Sequence, residues 1–190
     1  MQTIKIEVSA RHCHLSRTDL DKLFGFDYTL TQLKPLSQTG QFACQETIAI
    51  KTADGELANV RILGPVRKNS QVELSMTEAR KLKLQPPVRL SGDLKESAGC
   101  TLIGPKGEIV LKEGVIIAKR HIHCDPATAE KLGLQNNQIV SVKTAGERSV
   151  TFNEIEVRID QTFVWAMHVD TDEGNASLPG GVCALGELII

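Results

Sequence analysis

The chain reads as a mainly-β protein of the barrel or sandwich class, built from two related halves. Three observations predict this. Short runs of alternating apolar and polar residues recur along the chain, punctuated by Gly and Pro. Three short helix starts share one capping pattern. The sequence R-H-x-H occurs twice, at residues 11–14 and 120–123, each time soon after a strand-like run.

Taken in order, Thr3 to Val8 alternates and predicts the first strand. Ser16-Arg17-Thr18-Asp19 opens the first helix with a Ser-x-x-Asp cap. Glu46 to Thr52 alternates again, and Ser75-Met76-Thr77-Glu78 opens a second helix. Gly107 to Leu111 and Gly114 to Ala118 read as two apolar runs joined by a turn at Lys112-Glu113-Gly114. Asp125-Pro126 opens a third helix, with the cap at Asp125 and Pro at the first helical position. Gln138 to Lys143 and Ser149 to Ile159 complete the strand pattern. Trp165 and Met167 are expected in the core.

All five histidines fall in three short segments: His12 and His14, His121 and His123, and His168. Random placement gives on the order of 0.1 H-x-H pairs in a chain of this length. On a strand, residues i and i+2 share a face, whereas on a helix they lie about 200° apart. Each pair therefore reaches one ion only from an extended backbone. A possible ligand also stands two residues before each of the three caps, at His14, Glu73 and His123. Imidazole suits several transition metals. Three protein ligands with an open position describe a catalytic zinc, so two sites of one histidine pair each are expected. His168 is the expected third ligand of one pair and Glu73 of the other. Asp170, Asp172 and Glu173 are alternatives, or else partners of the ligands or a solvated acidic loop. Structural zinc sites tend to be closed and cysteine-rich, and this set is neither.

Arg11, Arg61, Arg67, Arg120 and Arg158 flank these segments. A guanidinium fork matches phosphate or carboxylate, and Arg67, six residues before Glu73, is the one expected at a site. The 190 residues carry a formal net charge of -1, which gives no sign of nucleic-acid or anionic-membrane binding. No apolar run is long enough to span a bilayer, and the N-terminus does not read as a targeting segment, so cytoplasmic action is expected. The five cysteines are odd in number and lack a C-x-x-C pair, which argues against a disulfide scaffold. Cys13 is expected to point into the core, opposite its flanking histidines. P-loop, nucleophile-elbow and dinucleotide-binding motifs are absent.

The segments S-A-R-H-C-H-L-S (9–16), Q-T-G-Q-F-A-C-Q-E-T (38–47), R-I-L-G-P-V-R (61–67), Q-V-E-L-S (71–75), S-G-D (91–93), K-R-H-I-H (119–123) and H-V-D-T-D-E-G-N-A (168–176) together resemble the PduL-type phosphotransacylases, or phosphate propanoyltransferases. The resemblance runs from about residue 4 to residue 176. It implies two similar, interleaved β-barrels capped by short helices. One would comprise residues 1–10 and 119–190, the other 11–118 with an insertion near 25–45. It also implies two zinc ions per chain, a metal site between the barrels, a homodimer, and conversion of acyl-CoA and phosphate to acyl phosphate and CoA. By motif, His12, His14 and Glu73 would hold the zinc that meets the CoA sulfur, and His121, His123 and His168 the other. Arg67 would hold phosphate, with Ser9 and Arg158 nearby. The chain starts at its first strand without an encapsulation helix, which favours acetyl-CoA chemistry free in the cytosol. The tail Ser177 to Ile190 runs past the usual end and is expected to add a strand or pack at a dimer interface.

Two other readings fit the ligands. One is a two-zinc thioesterase or phosphoesterase. The other is a zinc-stapled binding or shell-associated module without catalysis. Cys13 and Cys124 are the residues whose acylation would replace direct attack by a covalent route.

Overall fold

A computed structural model describes residues 2–181 and 184–190. The strands are β1 (Gln2–Ser9), β2 (His12–His14), β3 (Gln32–Pro35), β4 (Phe42–Lys51), β5 (Glu56–Gly64), β6 (Gln71–Leu74), β7 (Val88–Arg89), β8 (Ala98–Ile103), β9 (Glu108–Ala118), β10 (His121–Cys124), β11 (Ile139–Thr144), β12 (Thr151–Ile159), β13 (Ala166–Asp170) and β14 (Ala184–Ile189). The α-helices are α1 (Arg17–Phe24), α2 (Met76–Lys81), α3 (Pro126–Leu132) and α4 (Thr171–Ser177). The fold is mainly β, as the alternation predicts.

The chain divides into two compact units, Met1–Ala10 with Lys119–Ile190, and Arg11–Ala118. The first unit is a closed barrel in the order β1-β13-β10-β12-β11-β14. In the second, β4-β5-β2-β6-β9-β8 closes on itself through the β8–β4 pairing, with β3 and β7 attached outside the ring. The two rings share one topology. β10 runs parallel to β12 and antiparallel to β13, and β13 is parallel to β1. Likewise β2 runs parallel to β5 and antiparallel to β6, and β6 is parallel to β9. The remaining three pairings of each ring are antiparallel. The strands are interleaved: β1 leads into β2 along the chain but closes the β10 barrel, and β9 leads into β10 but closes the β2 barrel. The connection from α1 to β4 carries the added strand β3, and the connection from α3 to β11 carries none.

Each barrel encloses its own apolar core, as closure of half-buried strands requires. Ile4, Ile6, Ile122, Val140, Val142, Val157, Met167 and Leu188 fill one. Cys13, Leu15, Ile48, Ile50, Ile62, Val72, Leu74, Leu102 and Val115 fill the other. Met167 is fully buried, and Trp165 packs against the same core while its Nε1 donates to the Thr3 carbonyl at 3.2 Å. Cys13, Cys44, Cys100 and Cys124 are buried free thiols; Cys183 lies outside the described residues.

Two sequence expectations change, and a third, for the tail, resolves to one of its alternatives. The Lys112-Glu113-Gly114 turn is a bulge inside one strand, β9. Its pairing with β8 shifts between Cys100↔Leu111 and Ala98↔Val115. Gly114 takes φ 138°, and its N–H donates to Ser97 Oγ at 2.8 Å. The bulge separates the segment that pairs most of β8 from the segment that pairs β6 and β7. The acidic loop at 170–173 is instead the start of a fourth helix, α4. Asp170 is its N-cap and Glu173 returns a bond to the Asp170 N–H, a full capping box. Gly174 lets α4 approach β1, since a Cβ there would lie 2.7 Å from Val8 Cγ2. The tail adds a strand: β14 pairs with β1 and β11 and closes its barrel.

Replacing Gly114 by Val forces a β-branched residue into positive φ, with the Ser70 carbonyl oxygen only 3.2 Å from the new Cβ. We expect a loss of about 1–3 kcal/mol, read as a lower urea midpoint with unchanged slope.

Candidate metal centres

Strand alternation sets the direction of every candidate ligand. Cys13 and Leu15 point into one barrel core and Leu74 into the same core, while His12, His14 and Glu73 take the opposite face. In the other unit Ile122, Cys124, Met167 and Val169 point inward, and His121, His123 and His168 take the opposite face. Cross-strand register then brings the third ligand to each pair. Glu73 stands opposite His12 in the β2–β6 ladder, and His168 stands opposite His121 in the β10–β13 ladder. Glu73 and His168 therefore occupy equivalent positions of the two barrels.

His12, His14 and Glu73 are all buried, and their ligand atoms lie within 4.8 Å of one another. His12 Nε2 is 3.5 Å from Glu73 Oε2. Tetrahedral zinc, with bonds of about 2.0–2.1 Å, spaces its ligand atoms about 3.4 Å apart, so the set needs only small side-chain rotations to close on an ion. His14 Nδ1 lies 3.1 Å from the Leu63 carbonyl. A carbonyl only accepts, so Nδ1 carries the proton and Nε2 keeps its lone pair. Burial, with His12 and Arg67 nearby, pulls the His14 pKa down to about 3, so its ring is neutral near pH 7. Burial alone would raise the Glu73 carboxyl, but the charge and hydrogen bond of His12, aided by His14 and Ser91, hold it well below the usual range. Two imidazoles, one of them held neutral, and one carboxylate are one of the donor sets that suit a three-ligand zinc site.

In the other unit the ring centroids of His121, His123 and His168 lie 4.6, 4.8 and 5.2 Å apart. His121 Nδ1 is 2.9 Å from the Lys119 carbonyl, which again leaves Nε2 to accept. Glu7 Oε2 is 3.9 Å from His168 Nδ1, and Phe163 stacks on His123 at 4.0 Å. Among the described residues, no set of three other than His12, His14 and Glu73 brings its ligand atoms together as tightly.

The arginines have separate tasks. Arg11 Nη1 bonds Glu78 Oε1 at 2.9 Å, and Arg120 Nε bonds Glu173 Oε1 at 2.7 Å. Both glutamates are the capping-box residues of their helices, α2 and α4. These arginines thus tie each R-H-x-H segment to the helix that follows the third ligand. Arg61 Nη1 donates to the carbonyls of Cys44 and Gln45. Arg67 Nη1 donates to Ser91 Oγ at 2.9 Å, and Gln71 Nε2 bonds both Ser91 Oγ at 2.8 Å and Glu73 Oε1 at 2.5 Å. Arg158 is paired with His123 across β12–β10, and its guanidinium carbon lies 5.6 Å from the Phe163 ring centre. Ser9 ends β1 opposite Asp170. The structure thus groups Arg67 with His12, His14 and Glu73 in one unit, and Ser9 and Arg158 with His121, His123 and His168 in the other.

The residues that sequence reading missed are Gln71, Ser91, Phe163 and Glu7. Gln71 was signalled by period 2, since it shares a face with Glu73. A loop side chain such as Ser91 carries no such signal. The helix α4 was also legible: His168-Val169-Asp170 repeats the spacing of ligand and cap, and Asp170-x-x-Glu173 repeats Ser75-x-x-Glu78. Asp170 and Glu173 are therefore engaged in capping α4.

The family model described as phosphate propanoyltransferase matches residues 5–179. The phosphate propanoyltransferase of Thermotoga maritima is 49% identical over 176 residues, 92% of this chain and 84% of its own length. That of Priestia megaterium is 49% identical over 176 residues, 93% of this chain and 81% of its own. That of Clostridioides difficile is 46% identical over 173 residues, 91% of this chain and 83% of its own.

The His14 shift fixes an acid sensitivity. Its folded pKa is depressed, so between about pH 6.5 and 3 the unfolded chain binds a proton that the folded chain does not. Stability is full above that window and falls as pH drops through it; Glu73 adds to the loss only below the ordinary carboxylate range. Metal-free protein should lose about 2 kcal/mol between pH 7.5 and 5.0, measured by urea unfolding. His14→Gln should flatten that dependence.

Proposed function

The chain belongs to the phosphate propanoyltransferase family, and from that premise we propose that it converts a short-chain acyl-CoA and phosphate to acyl phosphate and CoA, reversibly and at a two-zinc site. Acetyl-CoA and propanoyl-CoA are the proposed substrates. The observation that carries this reading is the shared network of Arg67, Ser91, Gln71 and Glu73, which links a cation-ligand set to a guanidinium suited to phosphate.

His12, His14 and Glu73 would hold one ion, and His121, His123 and His168 the other. When bound, zinc supplies a thiophilic Lewis acid able to stabilise a departing thiolate and polarise a thioester carbonyl. Arg67 would hold the phosphate and offset its charge while one phosphate oxygen attacks the thioester carbon. The new C–O bond forms as the C–S bond breaks, and sulfur leaves with the electron pair as CoA thiolate. Ser9 and Arg158 are the further candidates for contact with phosphate or acyl phosphate. His14 and His121 keep their ring orientation through the Leu63 and Lys119 carbonyls.

The thiols support direct attack. Cys13 is fully buried in the core and burial pushes its thiol far up; Cys124 is raised to about 11, again mainly by burial. Neither offers a thiolate near pH 7. Action in the cytoplasm as a homodimer belongs to the same proposal, by family resemblance. Among the described residues no helix is long and apolar enough to cross a membrane.

Metal-replete protein should release CoA from acetyl-CoA and propanoyl-CoA only when phosphate or arsenate is present. Release without either supports the thioesterase reading. No turnover, with unfolding on zinc removal, supports the stapled module. Elemental analysis should give two zinc ions per chain, and His168→Ala one. Arg67→Ala should lower kcat/KM for phosphate by about 100- to 1,000-fold. Cys13→Ala and Cys124→Ala should both retain turnover, and acyl label on either cysteine would overturn direct attack.

A further inference from the structure

Gln71 is 2% exposed and sits on β6, two residues before Glu73 and on the same face. Every polar atom of its amide is engaged. Nε2 donates to Glu73 Oε1 at 2.5 Å and to Ser91 Oγ at 2.8 Å, and Oε1 accepts from the Gly92 N–H at 2.8 Å. The orientation follows from chemistry. A flipped amide would set its oxygen against a carboxylate and its NH₂ against a backbone N–H. The bond to Oε1 leaves Oε2, 3.5 Å from His12 Nε2, as the oxygen that faces the ligand set.

Comparison of the barrels isolates the role. Gln71 stands opposite His14, and the equivalent position, opposite His123, holds Ala166. The barrel whose third candidate ligand is an imidazole has no side-chain amide there. The barrel whose third candidate is a carboxylate, with two interchangeable oxygens, has one. From Gln71 the network continues through Ser91 Oγ to Arg67 Nη1.

We propose that Gln71 is a positioning residue that makes Glu73 present a single oxygen and, through Ser91, couples that carboxylate to Arg67, so that metal affinity and phosphate affinity at this centre depend on each other. The inference rests on the reading of Glu73 as a zinc ligand and Arg67 as the phosphate holder. Reciprocity then requires phosphate to tighten zinc by the factor by which zinc tightens phosphate.

The test measures zinc affinity of the full chain by chelator competition, with and without inorganic phosphate. Wild-type protein should bind zinc more tightly with phosphate present. Gln71→Leu should weaken one zinc by about 10- to 100-fold and lose the phosphate effect, while the second zinc is unchanged. Gln71→Asn keeps the amide but is too short to bridge Glu73 and Ser91, and should lose the phosphate effect in the same way. Circular dichroism identifies which variants are folded. Ser91→Ala, outside the strands, should also abolish the phosphate effect and covers the case in which neither Gln71 variant folds. A folded Gln71 variant with wild-type zinc affinity and an intact phosphate effect overturns the proposal, as does Ser91→Ala with that effect intact. Glu73→Ala separates the two levels. If it keeps both zinc ions, the ligand assignment fails and the coupling with it. If it loses one while Gln71→Leu loses none, only the coupling fails.

Discussion

Everything at the candidate centres depends on strand alternation against a closed apolar barrel. Once Cys13 and Leu15 are committed to one core and Ile122 and Cys124 to the other, the intervening histidines must take the opposite face. A slip of one residue would exchange the two sets, placing imidazoles among aliphatic side chains. Core packing therefore fixes ligand direction, and the antiparallel ladders β2–β6 and β10–β13 fix which third residue faces each pair.

The helix caps are the second layer of the same device. Each of the four ligand segments ends in an inward core residue followed by a cap: Leu15-Ser16, Leu74-Ser75, Cys124-Asp125 and Val169-Asp170. The chain leaves the strand within two residues of the ligand, which holds the ligand near the end of its strand. Arg11 and Arg120 strengthen this by binding Glu78 and Glu173, whose carboxylates also serve the cap backbone. A charged side chain beside a histidine pair is here part of the scaffold. In the proposed reaction Arg67 is the arginine that holds phosphate, with Arg158 the further candidate.

The two centres share a backbone plan and differ in chemistry. Glu73 brings a carboxylate whose charge His12, aided by His14, favours, and His168 brings an imidazole beside Glu7. Around Glu73 the spare hydrogen-bonding capacity of the carboxylate is taken by Gln71 and Ser91. Around His123 the ring is held instead by Phe163, with the Arg158 guanidinium also against the Phe163 ring. Positions that topology makes equivalent thus carry different third ligands in the proposed reading.

The sequence by itself determined the β class, the three caps that start α1, α2 and α3, the direction of the paired histidines and the candidacy of Glu73 and His168, because period 2 and capping act over a few residues. It also held the signal for α4, in the same ligand-and-cap spacing. Tertiary structure alone decided the rest. Whether Lys112-Glu113-Gly114 is a turn or a bulge depends on which strands flank β9 on either side. Whether Arg11, Arg61 and Arg120 bind substrate or scaffold depends on partners up to 67 positions away, as Arg11 and Glu78 are. The link from Arg67 through Ser91 and Gln71 to Glu73 joins a loop to a strand, and no local pattern records a contact made by the closure of a barrel.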